Sequence, residues 1–152
     1  KHLITPEKVI EIQRNLGSDF MMPLDICAPG DADRSAVVKA LDQTTIWAKA
    51  ARRAYDKSEP EYGKAQAVFG IVQGGIHEDL RTEAVQQLLE IGFFAYSMGG
   101  LAVGESPSDR WRIVELCDKL IPKENLRYLM GVGTPEDLDK VRAIVRQGAR
   151  QK

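Results

Sequence analysis

Three stretches of this chain follow one pattern, a short apolar run that ends in glycine. The clearest is Val68-Phe69-Gly70-Ile71-Val72-Gln73-Gly74-Gly75. The pattern returns in Phe93-Phe94-Ala95-Tyr96-Ser97-Met98-Gly99-Gly100 and in Tyr128-Leu129-Met130-Gly131-Val132-Gly133. An earlier version, Phe20-Met21-Met22-Pro23-Leu24-Asp25, ends in a carboxylate. An apolar run that stops at glycine and gives way to a helical period is the signature of a buried parallel strand feeding a loop. Gln73 stands where its strand gives out, and its amide offers both a donor and an acceptor. Gly74 and Gly75 let the backbone turn through angles other residues avoid, or let a ligand come close.

The segments between these runs have helical spacing. Thr5-Pro6-Glu7-Lys8 opens a first helix with a cap and a proline at its first position, with Val9, Ile12 and Leu16 on one face and Gly17 as the stop. A first strand over about 19–24 delivers Asp25, followed by a loop, Ile26 to Asp33, rich in turn residues. A long helix over 34–56 carries Val37, Ala40, Leu41, Thr44, Trp47, Ala48, Ala51 and Tyr55 in register. Residues 57–64, with Pro60 and Gly63, form a surface connection too short to separate domains. A helix over about 77–90 turns Leu80, Ala84, Leu88 and Ile91 inward and ends at Gly92. The next begins at Ser106-Pro107-Ser108-Asp109, carries Trp111, Val114, Leu116 and Leu120, and closes at Pro122. The remaining strands are expected over 68–72, 93–98 and 127–130. A last helix, capped by Thr134, turns Leu138, Val141, Ile144 and Val145 inward.

One helix followed by four strand–helix units predicts a single α/β domain over residues 1–152, with a parallel sheet and right-handed crossovers. Two architectures fit: four units of a (β/α)8 barrel, or a small open doubly wound sheet. In both, the site lies at the carboxyl ends of the strands. Those ends carry Asp25, Gln73, Gly99-Gly100 and Met130-Gly131.

Composition removes several function classes. The net charge is −1, without the basic surface of a strong nucleic-acid binder. Cys27 and Cys117 lie far apart, which is neither a disulfide framework nor a zinc cluster and implies a reducing compartment, the cytoplasm. No apolar stretch approaches the roughly 18 residues of a membrane span. The only histidines, His2 and His77, are far in sequence from Cys27, so Cys-His and Ser-His-Asp catalysis lack support. The glycines of 99–105 are not followed by Gly-Lys-Ser/Thr, so a phosphate-binding P-loop is not expected.

Each strand-end residue has a bland and a functional reading. Asp25 is a turn cap, or a carboxylate accepting two N–H bonds from the edge of a heterocycle. Gln73 satisfies loop backbone, or reads a carbonyl and an amine together. Gly99-Gly100 can offer backbone N–H groups to an oxygen, as an anion-binding nest does. Met130 is core, or lies flat against a planar ligand. Cys27 reads as a small buried residue. Arg52, Arg53, Lys119 and Lys123 read as solvated faces.

Phe69 to Gly75, Tyr96 to Glu105 and Arg127 to Leu138, with the lead-in from His2-Leu3-Ile4-Thr5-Pro6-Glu7 to Asp25-Ile26-Cys27, resemble the tRNA-guanine transglycosylase family in order and separation. The resemblance covers nearly the whole chain. It implies part of a (β/α)8 barrel and a transferase that exchanges guanine at the anticodon wobble position for a 7-deazaguanine base, preQ1 in bacteria, on the way to queuosine. It sets Asp25 and Gln73 on the hydrogen-bonding edge of the base. It sets the Gly100 N–H, beside Gly99, on the base's carbonyl oxygen, and the Leu101-Ala102 peptide at the aminomethyl group. Glu105 matches the residue that steadies this peptide as it switches between carbonyl out and N–H out. Met130 matches the residue stacked on the base. Cys27 and Val103 resemble the bacterial side of the family, and a branched Val103 narrows the pocket in favour of small preQ1 over bulky queuine.

The same resemblance sets the family's nucleophilic aspartate just past a stretch like Val145 to Ala149, its second catalytic aspartate before Lys1, and a structural zinc site of three Cys and one His downstream. The expectation is therefore an internal piece of the enzyme. It carries base recognition for guanine, preQ1 and tRNA, with no catalytic residue and no zinc ligand of its own, and it is inactive alone and prone to self-association. The neutral charge balance implies weak tRNA binding at best. A non-catalytic βα domain that binds a small ligand or partner is the competing class, and a purely structural scaffold the third.

Overall fold

A computed structural model describes residues 2–131 and 135–150 of the chain, without side chains for 144–150. Five helices and four strands alternate: α1 (Pro6–Asn15), β1 (Phe20–Met21), α2 (Arg34–Asp56), β2 (Ala67–Val72), α3 (Glu78–Ile91), β3 (Ala95–Met98), α4 (Pro107–Leu120), β4 (Leu126–Leu129) and α5 (Pro135–Arg150). The caps behave as the side chains dictate. Thr5 accepts from the Lys8 N–H, Asp33 from Ala36 and Ser106 from Asp109, each satisfying a donor that a helix start leaves open.

All strand pairs are parallel, and the sheet order is β1-β2-β3-β4. This order separates the two architectures. A doubly wound sheet reverses its strand order partway, whereas right-handed crossovers along a monotonic order stack successive helices on one face. The sheet is an arc of a (β/α)8 barrel. It is not closed, since β1 and β4 do not pair.

The main core lies between this arc and its helices. Met21, Val68, Val72, Tyr96 and Met98 from the strands meet Leu41, Ala48, Leu80, Ala84, Leu88, Ile113 and Cys117 from α2, α3 and α4. Gly70, the one non-apolar residue among the first five of its run, makes room for this packing: a Cβ there would fall 2.8 Å from the Phe93 ring. The β1 edge is covered by a side chain. Gln13 on α1 donates to the Met22 carbonyl (2.9 Å) and accepts from the Met22 N–H (2.8 Å), as a neighbouring strand would.

Several expectations need correction. β1 has two residues, not six, because Met22 pairs with Gln13 rather than with β2. β3 begins at Ala95 rather than Phe93, and β4 spans 126–129 rather than 127–130. The buried residues of α1 are Ile10 and Arg14; Val9 packs against the core but is only partly covered, and Ile12 and Leu16 are exposed, Leu16 at 74%, because the hydrogen bonds of Gln13 and Arg14 turn their side of the helix inward. In α4 the buried residues are Ile113, Val114 and Cys117, with Trp111, Leu116 and Leu120 only partly covered. Leu138 is exposed rather than inward. Val132, Gly133 and the expected cap Thr134 lie outside the described residues, as do the side chains of Ile144 and Val145. No helix among the described residues is long and apolar enough to cross a membrane.

Candidate functional site

The four strand ends converge. Gln73, one residue past β2 and 2% exposed, donates from Nε2 to Asp25 Oδ2 at 2.7 Å across the β1–β2 boundary. Asp25 is held there by its neighbour: the Ile26 N–H donates to the buried Thr44 Oγ1 on α2 at 2.9 Å. The Gln73 side chain lies over the Gly99-Gly100 turn of β3. A Cβ on Gly99 would fall 2.8 Å from Gln73 Nε2 and 3.6 Å from Met130 Sδ, and one on Gly100 would fall 2.2 Å from Gln73 Oε1. Gly100 also has φ of +62°, which suits glycine. Met130 extends the ladder beyond β4 through its N–H to the Met98 carbonyl. Asp25, Gln73, Gly99, Gly100 and Met130 therefore form one cluster.

The loop after Gly100 is fixed by a carboxylate. Glu105 accepts the Ala102 N–H on Oε1 at 2.6 Å and the Val103 N–H on Oε2 at 2.9 Å, while Arg110 Nε donates to Oε1 at 2.7 Å. Its side chain is 1% exposed. Burial by itself would raise its pKa, but the Arg110 guanidinium and the Val103 and Ala102 amides outweigh that and hold it at about 2. Ala102 has φ of +61°, uncommon outside glycine, and its N–H is turned onto Glu105. In a trans peptide the two ends point opposite ways, so the Leu101 carbonyl faces away from Glu105, toward Gly131. Val103 is exposed, and its carbonyl accepts the Gly30 N–H at 3.0 Å, stitching the loop after β1 to the loop after β3.

Cys27 is exposed, not buried as its residue type suggested, and lies on the irregular loop between β1 and α2. Partial burial raises its pKa, the Asp25 charge raises it further, and the Gly100 N–H and Arg81 oppose the shift. A raised thiol pKa does not suit a nucleophile. Gly74 and Gly75 do not open space for a ligand: a Cβ on Gly74 would fall 2.9 Å from the Arg81 backbone nitrogen, and one on Gly75 would press on Val37. They seat the start of α3 against the end of β2.

Sequence reasoning missed Arg81. It is 0% exposed, and it donates only to backbone carbonyls: Nε to Gly75 (2.8 Å), NH1 to Val72 (2.8 Å) and Gly99 (2.7 Å), NH2 to Gly100 (3.0 Å). Burial lowers its pKa, partly opposed by Cys117, Cys27 and Glu105. The available signal was an arginine inside the inward stripe Leu80, Ala84, Leu88 of α3. Arg110 was missed too, although it stands five residues after Glu105 on the first turn of α4.

Among the described residues no three His, Cys, Asp or Glu side chains gather to hold a metal ion.

A cluster of this kind offers a carboxylate and an amide side by side, backbone donors on a glycine turn, an outward carbonyl and a thioether. It suits a flat, hydrogen-bonding heterocycle better than an extended chain. Comparison with known proteins narrows this further. Residues 1–146 match the family model described as queuine tRNA-ribosyltransferase. The queuine tRNA-ribosyltransferase of Solidesulfovibrio magneticus is 50% identical over 138 residues, covering 91% of this chain and 36% of the relative. That of Thermoanaerobacter pseudethanolicus gives the same identity and coverage. That of Halothermothrix orenii is 41% identical over 146 residues, 96% of this chain and 37% of the relative. The chain thus spans little more than a third of the length of the curated relatives it matches.

Proposed function

The chain belongs to the queuine tRNA-ribosyltransferase family, and from that premise we propose that its strand ends carry the base-recognition walls of a tRNA-guanine transglycosylase. The observation that carries this reading is the Asp25–Gln73 bond lying on the Gly99-Gly100 turn with the Met130 sulfur beside it. A guanine-type base has a donor edge of ring N–H and exocyclic amine next to a carbonyl acceptor. Asp25 accepts from the donor edge, Gln73 pairs beside it, and the Gly100 N–H meets the carbonyl oxygen. Met130 packs on the face of the ring. In the base-free arrangement Gln73 and Asp25 satisfy each other, and a base replaces that bond with its own.

The peptide after Gly100 suggests which base is exchanged in. With Ala102 N–H held by Glu105, the Leu101 carbonyl is turned away as an acceptor. An acceptor there suits the ammonium of an aminomethyl group, as in preQ1, and the branched Val103 beside it disfavours a bulkier substituent.

The 152-residue chain on its own recognises base without exchanging it. Two carboxylates stand at the described strand ends, and both are engaged, Asp25 by Gln73 and Glu105 by Arg110 and two amides. Self-association fits the open arc: Phe20, Leu126 and Tyr128 on β1 and β4 are about half exposed. A tRNA partner and two unpaired cysteines fit the cytoplasm.

Calorimetric titration with guanine and preQ1 tests the reading. Saturable binding by the wild-type chain, abolished by Asp25→Ala, is the expected result. Affinity unchanged by Asp25→Ala would mean a different ligand site and favour a non-catalytic binding domain. Labelled guanine entering tRNA well above background would refute the claim that this chain alone is inactive, and a sedimenting monomer would refute self-association.

A further inference from the structure

We propose that Arg81 is the positioning residue that aims and strengthens the Gly100 N–H, and so sets the preference for a base with a carbonyl oxygen at that place. The inference rests on the base-recognition reading above. Every bond Arg81 makes goes to a carbonyl at the end of β2 or β3: Val72, Gly75, Gly99 and Gly100. Among the described residues there is no cis peptide. In a trans peptide, C=O and the following N–H point in opposite directions. When NH1 draws the Gly99 carbonyl inward at 2.7 Å, the Gly100 N–H is turned outward, toward Cys27 and the Asp25–Gln73 pair. When NH2 draws the Gly100 carbonyl inward, the next peptide is fixed in the same sense. Two adjacent glycines would otherwise let both peptides flip freely.

The guanidinium does more than hold an angle. It is completely buried, and its bonds all go to neutral acceptors, so no carboxylate within bonding distance cancels its charge. A cation bonded to a carbonyl polarises that peptide and makes the N–H at its other end a stronger donor. The Gly100 amide is thus a relay between a buried cation and whatever oxygen it meets. A base oxygen that gains negative charge as the base leaves the ribose is favoured over an uncharged acceptor or a donor. An ordinary loop amide would discriminate less.

The test compares guanine with 6-thioguanine, which keeps the ring N–H and amine but replaces the oxygen with a poor acceptor. The wild-type chain is expected to prefer guanine about tenfold, the loss of one good hydrogen bond. Arg81→Met is expected to lower guanine affinity about tenfold and leave 6-thioguanine nearly unchanged, bringing the ratio close to one. Arg81→Lys, which keeps a cation and can hold some of the carbonyls, recovers part of the ratio. Asp25→Ala removes the binding of both bases alike. A ratio that survives Arg81→Met overturns the proposal. A wild-type chain that binds neither base overturns the base-recognition reading, and this inference with it. If Arg81→Met does not fold, the unsubstituted chain still decides: in 15N-labelled protein, guanine should move the Gly100 amide proton downfield and slow exchange of the Arg81 Nη protons. 6-Thioguanine should do so much less, and equal responses to the two bases reject the relay.

Discussion

Among the described residues two arginines are buried without a carboxylate partner, one at each end of the sheet. Arg14, on α1, lies at the end where the strands begin. Its guanidinium donates to the Ser58 hydroxyl and carbonyl, Gln66 Oε1 and the Tyr55 carbonyl, and stacks 4.2 Å from the Tyr55 ring. Arg81, on α3, lies at the end where the strands finish and holds four carbonyls of the two loops that carry the candidate site. Arg14 divides its bonds between two side chains, two carbonyls and an aromatic face, and it ties α1 to the connection between α2 and β2. Arg81 binds backbone alone, at Val72 and three glycines. In barrel folds the first end is the one that supports stability and the second the one that hosts chemistry. The same side chain is a clamp at one end and an aiming device at the other.

The largest expected effect separates the two roles. Arg81→Met leaves the Gly75, Gly99 and Gly100 carbonyls without the guanidinium, while the Val72 carbonyl keeps the Gly99 N–H, and should cost about 3–5 kcal/mol of stability, at roughly 1–3 kcal/mol for an orphaned group with partial relaxation. Arg14→Met should cost less, about 2–3 kcal/mol, because Ser58 and Gln66 can rotate to new partners. Guanine affinity should fall only in the Arg81 variant. Denaturant midpoints and base titrations on both proteins check this; an equal loss of base affinity in Arg14→Met would erase the distinction. A second contrast uses two glycines with nearly the same φ, Gly100 (+62°) and Gly63 (+64°). Alanine at Gly63 meets nothing within 4 Å, so only the left-handed backbone cost of about 1–2 kcal/mol applies. Alanine at Gly100 meets Gln73 Oε1 at 2.2 Å and should cost about 1–3 kcal/mol more, with loss of base binding as Gln73 is driven off Asp25.

This contrast also explains what the sequence could reveal. The four glycine- or carboxylate-ended runs announce the strands, their order and the ends that matter, because burial and turn geometry act locally on residue type. Asp25, Gln73, Gly100 and Met130 were legible for the same reason. Arg81 was not. Its partners are carbonyls, which every residue owns, so no residue type downstream marks the contact. The buried face of α1 was misread for a related reason: hydrophobic spacing favoured Ile12 and Leu16, whereas the geometry of Arg14 and Gln13 decided which side faces in. Glu105 was visible through the family resemblance, but Arg110, which completes its charge, was visible only in three dimensions.

Acid should distinguish the two ends next. Glu105 has its pKa lowered to about 2 from an ordinary 4.5. A depressed folded-state pKa gives stability that is fully present above 4.5 and is lost as pH falls toward and through about 2. Integrated, that is on the order of 3 kcal/mol confined to the acid limb. The partners of Arg14 are a hydroxyl, an amide and carbonyls, with no acid to titrate. Glu105→Gln should therefore flatten part of the stability loss between pH 4.5 and 2, whereas Arg14→Met should lower the whole curve without changing its shape. Denaturation midpoints measured across that range decide the matter. A Glu105→Gln curve parallel to wild type would mean that the loop clamp does not depend on charge.

The smallest effect is expected where a count of ion pairs would have looked first. Arg34 at the start of α2 and Asp79 at the start of α3 form a two-pronged pair close to the site end of the sheet. The Arg34 hydrogen bond lowers the Asp79 pKa, yet both side chains stand more than half exposed. Water and salt already solvate such a pair, and ordering two long side chains offsets what attraction remains. Asp79→Asn should leave the denaturation midpoint and the guanine affinity within experimental scatter at physiological salt. A clear loss in either would show that α2 and α3 are positioned by surface charge, and that Arg81 has help in setting the loops. If nothing moves, the orientation of the site rests on a cation that has no anion beside it, held by the carbonyls it directs.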